Sequence, residues 1–319
     1  MMAFDADLQR SADRAQLTSV ITVAIVGTTA SGKSSVALAA AGAVPEMELV
    51  SVDSMQVYRG MDIGTAKPST NEQTAVRHHL IDLVPHTDSF TLADYQAALG
   101  AIVPEIADRD RRAIAVGGTG LYLRSVVDGL GLPGRWPELR GELEAIVDAA
   151  GLYERLVALD PVAAGRMEPT NHRRIVRALE VCLGSGQPFS SFGPGLERYP
   201  AGGVAQIGLR WSRERLADRI GQRVRAMVDA GLVDEIAQLR RCGPFSTTAG
   251  QALGYPEFAA YLDGRCGLDE AIEITALHTR QFAVRQERWF RRDPRILWID
   301  VEHDPVEECL PTLMRLLNA

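Results

Sequence analysis

No stretch of the sequence holds the roughly 18 consecutive apolar residues that a membrane-spanning helix needs, so no transmembrane segment is expected. Cysteine is scarce: Cys182, Cys242, Cys266 and Cys309 stand far apart. No C-x-x-C pair occurs, so neither a zinc site nor a disulfide framework is suggested. A reducing cytoplasm fits such usage best. Positive charge is not in excess either, with 34 Lys and Arg against 41 Asp and Glu and a net charge of −7. Taken globally, that balance argues against a nucleic-acid partner, although binding needs only a local basic face. Residues 1–20 lack the apolar core of a secretory signal and carry Asp5, Asp7, Arg10, Asp13 and Arg14, so they read as a disordered cytosolic leader. An N-K-x-D guanine signature is also missing, which lowers a GTPase reading. What remains is an ordinary soluble composition, 46% hydrophobic and 24% charged over 319 residues, with room for one large domain or two smaller ones.

Against these absences one stretch stands out. Gly27, Thr28, Thr29, Ala30, Ser31, Gly32, Lys33 and Ser34 fit G-x-x-x-x-G-K-[ST], the P-loop shared by nucleotide- and ATP-binding proteins. The two glycines permit backbone conformations that a Cβ would penalise. The loop amides can then converge into a nest for phosphate oxygens. Lys33 brings a cation to the terminal phosphates, and Ser34 offers a hydroxyl to Mg²⁺. The context agrees: 21–26 is a β-rich buried run, and the Ala-rich stretch after Lys33 reads as a helix over 33–42 whose positive end faces the same anion. The loop alone does not say which phosphate ester binds.

A second β-rich run, 48–52, ends at Asp53. In an open α/β sheet, ligands sit beyond the carboxyl ends of strands, which sets Asp53 beside the P-loop. A carboxylate there could bind Mg²⁺ through water or take a proton; a helix N-cap is the bland alternative. Residues 134–200 lack βαβ rhythm. Residues 136–159 are charged and helix-patterned, 171–183 read as an arginine-rich helix, and 184–200 as a Gly/Pro/Ser loop region. This predicts a helical insertion in an α/β core made of 21–133 and 201–319. After a strand at 204–209, a helix opening near Ser212 carries an apolar stripe of Leu216, Ile220, Val224 and Met227. Arg223 lies seven residues after Leu216, about 20° from it around the helix. An inward arginine needs a partner: a pyrophosphate, which its fork matches, or a core carboxylate. A helix near 269–292 shows a mostly apolar side with Thr279, Phe282, Ala283, Gln286, Trp289 and Phe290, and a basic row of Arg280, Arg288 and Arg291 suited to an RNA backbone. A last strand at 295–300 leads to a tail from Val301 that reads as a surface helix of no evident function.

Several motifs in fixed order resemble the tRNA dimethylallyltransferase family. They are DSMQVYRGMDIGTAKP from Asp53, HHLID at 78–82, FTLADY from Phe90, AIAV then GGTGLY from Ala113, NHRRIVRALE from Asn171, Leu253-Gly-Tyr255, and TRQFAVRQERWF from Thr279. The resemblance spans roughly 21–300. It implies an α/β P-loop NTPase-like core with a parallel sheet, and an insertion that helps hold the anticodon arm of tRNA. The implied reaction is transfer of a dimethylallyl group from dimethylallyl diphosphate to N6 of adenosine 37, releasing pyrophosphate, with Mg²⁺ as cofactor. The implied catalytic residues are Asp53, Thr119 and Arg223, the last falling on a family active-site arginine. Implied tRNA contacts are Asp53, Ser54, Met55, Gln56, Arg173, Arg174, Arg177, Gly254, Tyr255, Arg280, Arg285, Arg288 and Arg291; for each insertion arginine a solvated helix face is an equal alternative. A cytoplasmic monomer with no membrane partner is expected. Departures from the family pattern are Thr28 in place of proline, Gln251 in place of arginine, Pro256 after the tyrosine, and Val284 in place of lysine. The last changes remove positive charge near the inferred tRNA surface. Prenylation of free adenine nucleotides, a P-loop small-molecule kinase and a nucleotide-gated switch are the alternatives. The arginine-rich stretches favour tRNA.

Overall fold

The computed structural model describes residues 14–192 and 196–318. Residues 1–13 of the expected leader lie outside that range, whereas 14–20 are helical (α1), which corrects a disordered reading of that part. The reason is packing: Val20 is buried in the main core and Leu17 packs against it.

The chain then alternates. In order come β1 (Ile21–Gly27), α2 (Lys33–Ala43), β2 (Met47–Val52), β3 (Tyr58–Arg59), α3 (Thr70–Ala75), β4 (His78–His79), β5 (Val84–Pro85), α4 (Leu92–Asp108), β6 (Arg112–Gly117) and α5 (Gly120–Asp128). Four helices follow: α6 (Pro137–Glu144), α7 (Ala149–Leu159), α8 (Pro161–Ala164) and α9 (His172–Ser185). The alternation resumes with β7 (Ala205–Arg210), α10 (Arg213–Asp229), α11 (Leu232–Cys242), α12 (Tyr255–Leu262), α13 (Leu268–Phe290), β8 (Ile296–Asp300) and α14 (Pro305–Leu317). Local signals mark the starts of the helices. Ser69 with Glu72 and Thr91 with Asp94 form capping boxes at α3 and α4, and Ser212 caps α10 by accepting from Arg215 N–H.

Contacts divide the chain into two compact units, Met1–Gly129 with Ala201–Ala319, and Leu130–Pro200. The first holds a six-stranded sheet in the order β4-β2-β6-β1-β7-β8, every pair parallel. Six of the seven β1 residues and all six of β2 are buried, the near-continuous apolar pattern of strands covered on both faces. On one face Ala24 and Val26 meet Tyr95, Leu99 and Val103 of α4 and Leu123 and Val126 of α5. On the other, Val23 and Ile25 meet Val36, Ala37 and Ala40 of α2 and Cys309, Leu313 and Leu317 of α14. The tail expected to be a surface helix is therefore a sheet cover, since those three side chains are almost fully excluded from solvent.

The second unit is helical, with Leu143, Leu152, Leu156, Ile175, Val176 and Leu179 in its core. Asn171 caps α9 by accepting from Arg174 N–H. No helix among the described residues is long and apolar enough to cross a membrane.

Candidate active site

β6 lies between β2 and β1, and Gly117 stands level with Val52 on one side and Val26 on the other. Three loops therefore leave the sheet side by side at the strands' carboxyl ends: 27–32 from β1, 53–57 from β2 and 118–119 from β6. That edge is where open parallel sheets receive ligands.

The P-loop is held in shape from outside. Gly27 (φ 153°) and Gly32 (φ 91°) occupy backbone conformations that disfavour a Cβ, and Ala30 (φ 62°) joins them in the left-handed region. A Cβ at Gly32 would also run into Pro305. The Ser31 carbonyl accepts from Trp211 Nε1 at 2.9 Å, and the Ala30 carbonyl from Arg219 Nε at 2.9 Å. The Arg219 guanidinium lies 4.2 Å over the Trp211 ring. The Thr29 and Ser31 N–H groups are spent within the protein, so the N–H groups that open α2 are the ones left to meet an anion.

Lys33, at the first turn of α2, donates to the Thr28 carbonyl at 3.0 Å and so bridges the loop. Burial pushes its ammonium down to about 8, the charge of Arg223 adds to that, and Asp53 opposes both. Burial likewise lowers the Arg223 pKa, with Asp53 the carboxylate acting on it. Arg223 thus turns inward, as its place on the α10 stripe predicts. Two desolvated cations facing one carboxylate leave surplus positive charge, which a polyanion would neutralise.

No helix begins at Asp53, so the N-cap reading falls. Its Oδ1 accepts the Met55 N–H at 2.8 Å and closes a turn. Thr119 joins the β6 loop to this turn: its N–H donates to Val52 O at 3.1 Å, and its Oγ1 accepts the Ser54 N–H at 3.0 Å. Ser34 is exposed at the second residue of α2. Its hydroxyl and the Asp53 carboxylate are hard oxygen donors of the kind Mg²⁺ takes beside phosphate oxygens and water. Among the described residues no cluster of three or more His, Cys, Asp or Glu could hold a metal alone.

Several expected tRNA contacts are committed elsewhere. Gln56 uses both ends of its amide on its own chain, accepting from Ser51 Oγ and donating to Ala66 O. Gly254 and Tyr255 are buried. The Gly254 N–H goes to Glu257 and the Tyr255 hydroxyl to Glu235 at 2.7 Å, so neither is offered to a partner. Arg177 is spent inside its own unit, on the carbonyls of Pro133 and Gly134 and on Glu180. Arg280 is half-buried beside α10, lining a groove of about 660 Å³ with Arg225 and Leu277. Arg291 ion-pairs with Glu287 at 3.4 Å. Arg173 and Arg174 on α9, and Arg285 and Arg288 on α13, are exposed. Met55 is half-buried and packs against the core.

Other residues shape the site without having been singled out. Trp211, Arg219 and Pro305 brace the P-loop from positions far along the chain. Glu235 accepts the N–H groups of Asp62, Ile63 and Gly64 and pins the loop after β3. Gln286 reaches the P-loop from α13; its signal was an amide on an otherwise mostly apolar helix side.

The chain resembles known proteins over nearly its whole length. A family model described as IPP transferase matches residues 56–293. A tRNA dimethylallyltransferase of Thermobifida fusca is 45% identical over 87% of this chain and 89% of its own. One of Desulforudis audaxviator is 47% identical over 88% and 92%. Among solved structures, a tRNA isopentenylpyrophosphate transferase of Bacillus halodurans superimposes with a TM-score of 0.65 at 38% identity, covering 93% of this chain and 96% of its own. A eukaryotic dimethylallyltransferase acting on tRNA superimposes with a TM-score of 0.74 at 25% identity, covering 88% and 74%. A family model across most of the chain, and relatives 45% and 47% identical over 87% and 88% of it, lead to one conclusion: the chain belongs to the tRNA dimethylallyltransferase (IPP transferase) family.

Proposed function

We propose that this enzyme transfers the dimethylallyl group of dimethylallyl diphosphate to N6 of adenosine 37 in tRNA and releases diphosphate. The observation that carries the reading is the pair of desolvated cations Lys33 and Arg223 at the P-loop, with the Asp53 carboxylate acting on both. The bond from the prenyl carbon to the diphosphate oxygen breaks, and the electron pair leaves with the diphosphate. The P-loop amides, Lys33 and Arg223 stabilise that developing charge, in a site dry enough for such contacts to count. The bond from N6 to the prenyl carbon forms, and Asp53 orients the amine and accepts its proton. Thr119, through Ser54, holds the turn on which Asp53 sits. Ser34 is the residue that would hold Mg²⁺, which when bound supplies further positive charge to the diphosphate. The adenine leaves its stack to reach this chemistry.

The exposed arginines suit the RNA backbone: Arg173 and Arg174 in the helical unit, Arg285 and Arg288 in the core unit. The test is incubation with labelled dimethylallyl diphosphate and either unmodified tRNA or AMP. Label in tRNA as N6-dimethylallyladenosine supports the reading. Label only in AMP makes the enzyme an adenylate prenyltransferase, and phosphoryl transfer from ATP without prenyl transfer makes it a kinase.

A further inference from the structure

The side chain of Gln286 serves two loops of the site, not its own helix. Its Oε1 accepts the Thr29 N–H at 2.8 Å, and its Nε2 donates to Gly118 O at 2.9 Å. A backbone N–H can only donate and a carbonyl only accept, so the partners fix which end of the amide is which. Gln286 is 7% exposed, so losing it would strand polar groups away from water. The fit is cut from both sides. A Cβ on Gly118 would collide with Gln286 Nε2, and one on Gly120 would collide with the Trp289 indole. Gln286 and Trp289, neighbours on one side of α13, fill the space those two glycines leave on either side of Thr119. Thr119 turns away from them, toward Ser54 beside Asp53.

We propose that Gln286 is a positioning residue for prenyl transfer: it ties the P-loop to the Thr119 loop at one fixed spacing. The diphosphate cradle and the Asp53 turn are then presented to the substrate as one rigid assembly. The P-loop needs such a tie. Thr28 has no ring to fix its φ, and the Gln286 bond anchors the next residue. The inference rests on the P-loop's being the diphosphate site.

The experiment measures binding of inorganic diphosphate with Mg²⁺ by calorimetry, without tRNA, for wild type, Lys33→Ala, Gln286→Met and Gln286→Glu, together with steady-state kinetics. Gln286→Met keeps length and removes both bonds. It should weaken diphosphate binding and lower kcat/KM for dimethylallyl diphosphate by about tenfold to a hundredfold, with KM for tRNA unchanged. Gln286→Glu is a built-in rescue. Its protonated carboxyl offers both a donor and an acceptor, but its ionised form offers no donor to Gly118 O. Its KM for dimethylallyl diphosphate, relative to wild type, should lie near one at low pH and rise with pH. Should Gln286→Met fail to fold, this pH dependence decides alone. A Gln286→Met enzyme with wild-type diphosphate affinity and kinetics, or a Gln286→Glu ratio flat with pH, overturns the inference while Lys33→Ala still loses binding. Unaltered diphosphate binding in Lys33→Ala overturns the P-loop reading itself, and the inference with it.

Discussion

Lys33 is a desolvated cation at the P-loop. Burial and the neighbouring Arg223 hold its ammonium down to about 8, while Asp53 pulls the other way. Only the ammonium form neutralises the diphosphate, so kcat/KM for dimethylallyl diphosphate should fall as pH rises through about 8, the free enzyme being what that ratio reports. A pH profile in Lys33→Met should start lower and lack this descending limb; an identical limb in the variant would assign the titration to another group. Lys33, Ser34 and Asp53 were legible in the sequence because each belongs to a short contiguous pattern at a strand end. Helical phase turned Arg223 inward, and the family resemblance gave it its place at the site. Gln286, Trp211 and Arg219 were not. What they do depends on which loop α13 or α10 lies against, and no local pattern records that.

At the scale of elements, α13 has two different sides. One side carries Gln286 and Trp289 into the site, and the other exposes Arg285 and Arg288. The double change Arg285→Gln plus Arg288→Gln should weaken tRNA binding and reduce the salt slope of log K by about one to two units, as one or two lost phosphate contacts would. Filter binding across a salt series measures it, and an unaltered slope would move the RNA surface elsewhere. The basic row read from sequence, Arg280, Arg288 and Arg291, lies along α13 with Arg288 and Arg291 exposed and Arg280 half-buried. Helical phase does not reveal that α10 half-covers Arg280 or that Glu287 engages Arg291. Tyr255 shows the same limit. As a motif residue it read as a contact, yet its hydroxyl braces Glu235 beneath the loop at 62–64. Tyr255→Phe should therefore lower unfolding stability by roughly 1 kcal/mol, the usual scale of one buried hydrogen bond, with tRNA affinity unchanged. Loss of tRNA affinity at full stability, read by denaturant titration beside filter binding, would restore the contact role.

Over the whole molecule, the alternating core and the helical insertion were visible as a change of texture in the chain. The sheet order was not, because strand neighbours depend on crossovers that leave no mark in composition. That order sets up a buried polar cluster. Glu48 on β2 meets His79 on β4 at 2.6 Å and Arg109 at 2.7 Å. Burial lowers the His79 pKa more than Glu48 raises it, so protonation favours the unfolded chain. Burial would raise the Glu48 carboxyl, but Arg109 and His79 hold it below its ordinary value. Both effects have one sign: stability is present above the ordinary histidine pKa, falls as pH drops through it, and falls further as Glu48 protonates. The midpoint of urea unfolding should decrease between pH 7.5 and pH 5, about the range bracketing that histidine value, and the decrease should shrink in His79→Gln. A variant with the full decrease would place the titration elsewhere.

All of these scales meet in the claim that Asp53, set at the end of β2 beside a P-loop that cradles diphosphate, takes the proton of the attacking adenine amine. Asp53→Asn keeps the size of the side chain and its bond to the Met55 N–H but removes the base. The direct measurement is single-turnover transfer from labelled dimethylallyl diphosphate at saturating unmodified tRNA. The account predicts a rate lower by about 10² or more, the usual share of a general base, with tRNA still bound as tightly as by wild type. A single-turnover rate equal to wild type in Asp53→Asn would contradict it.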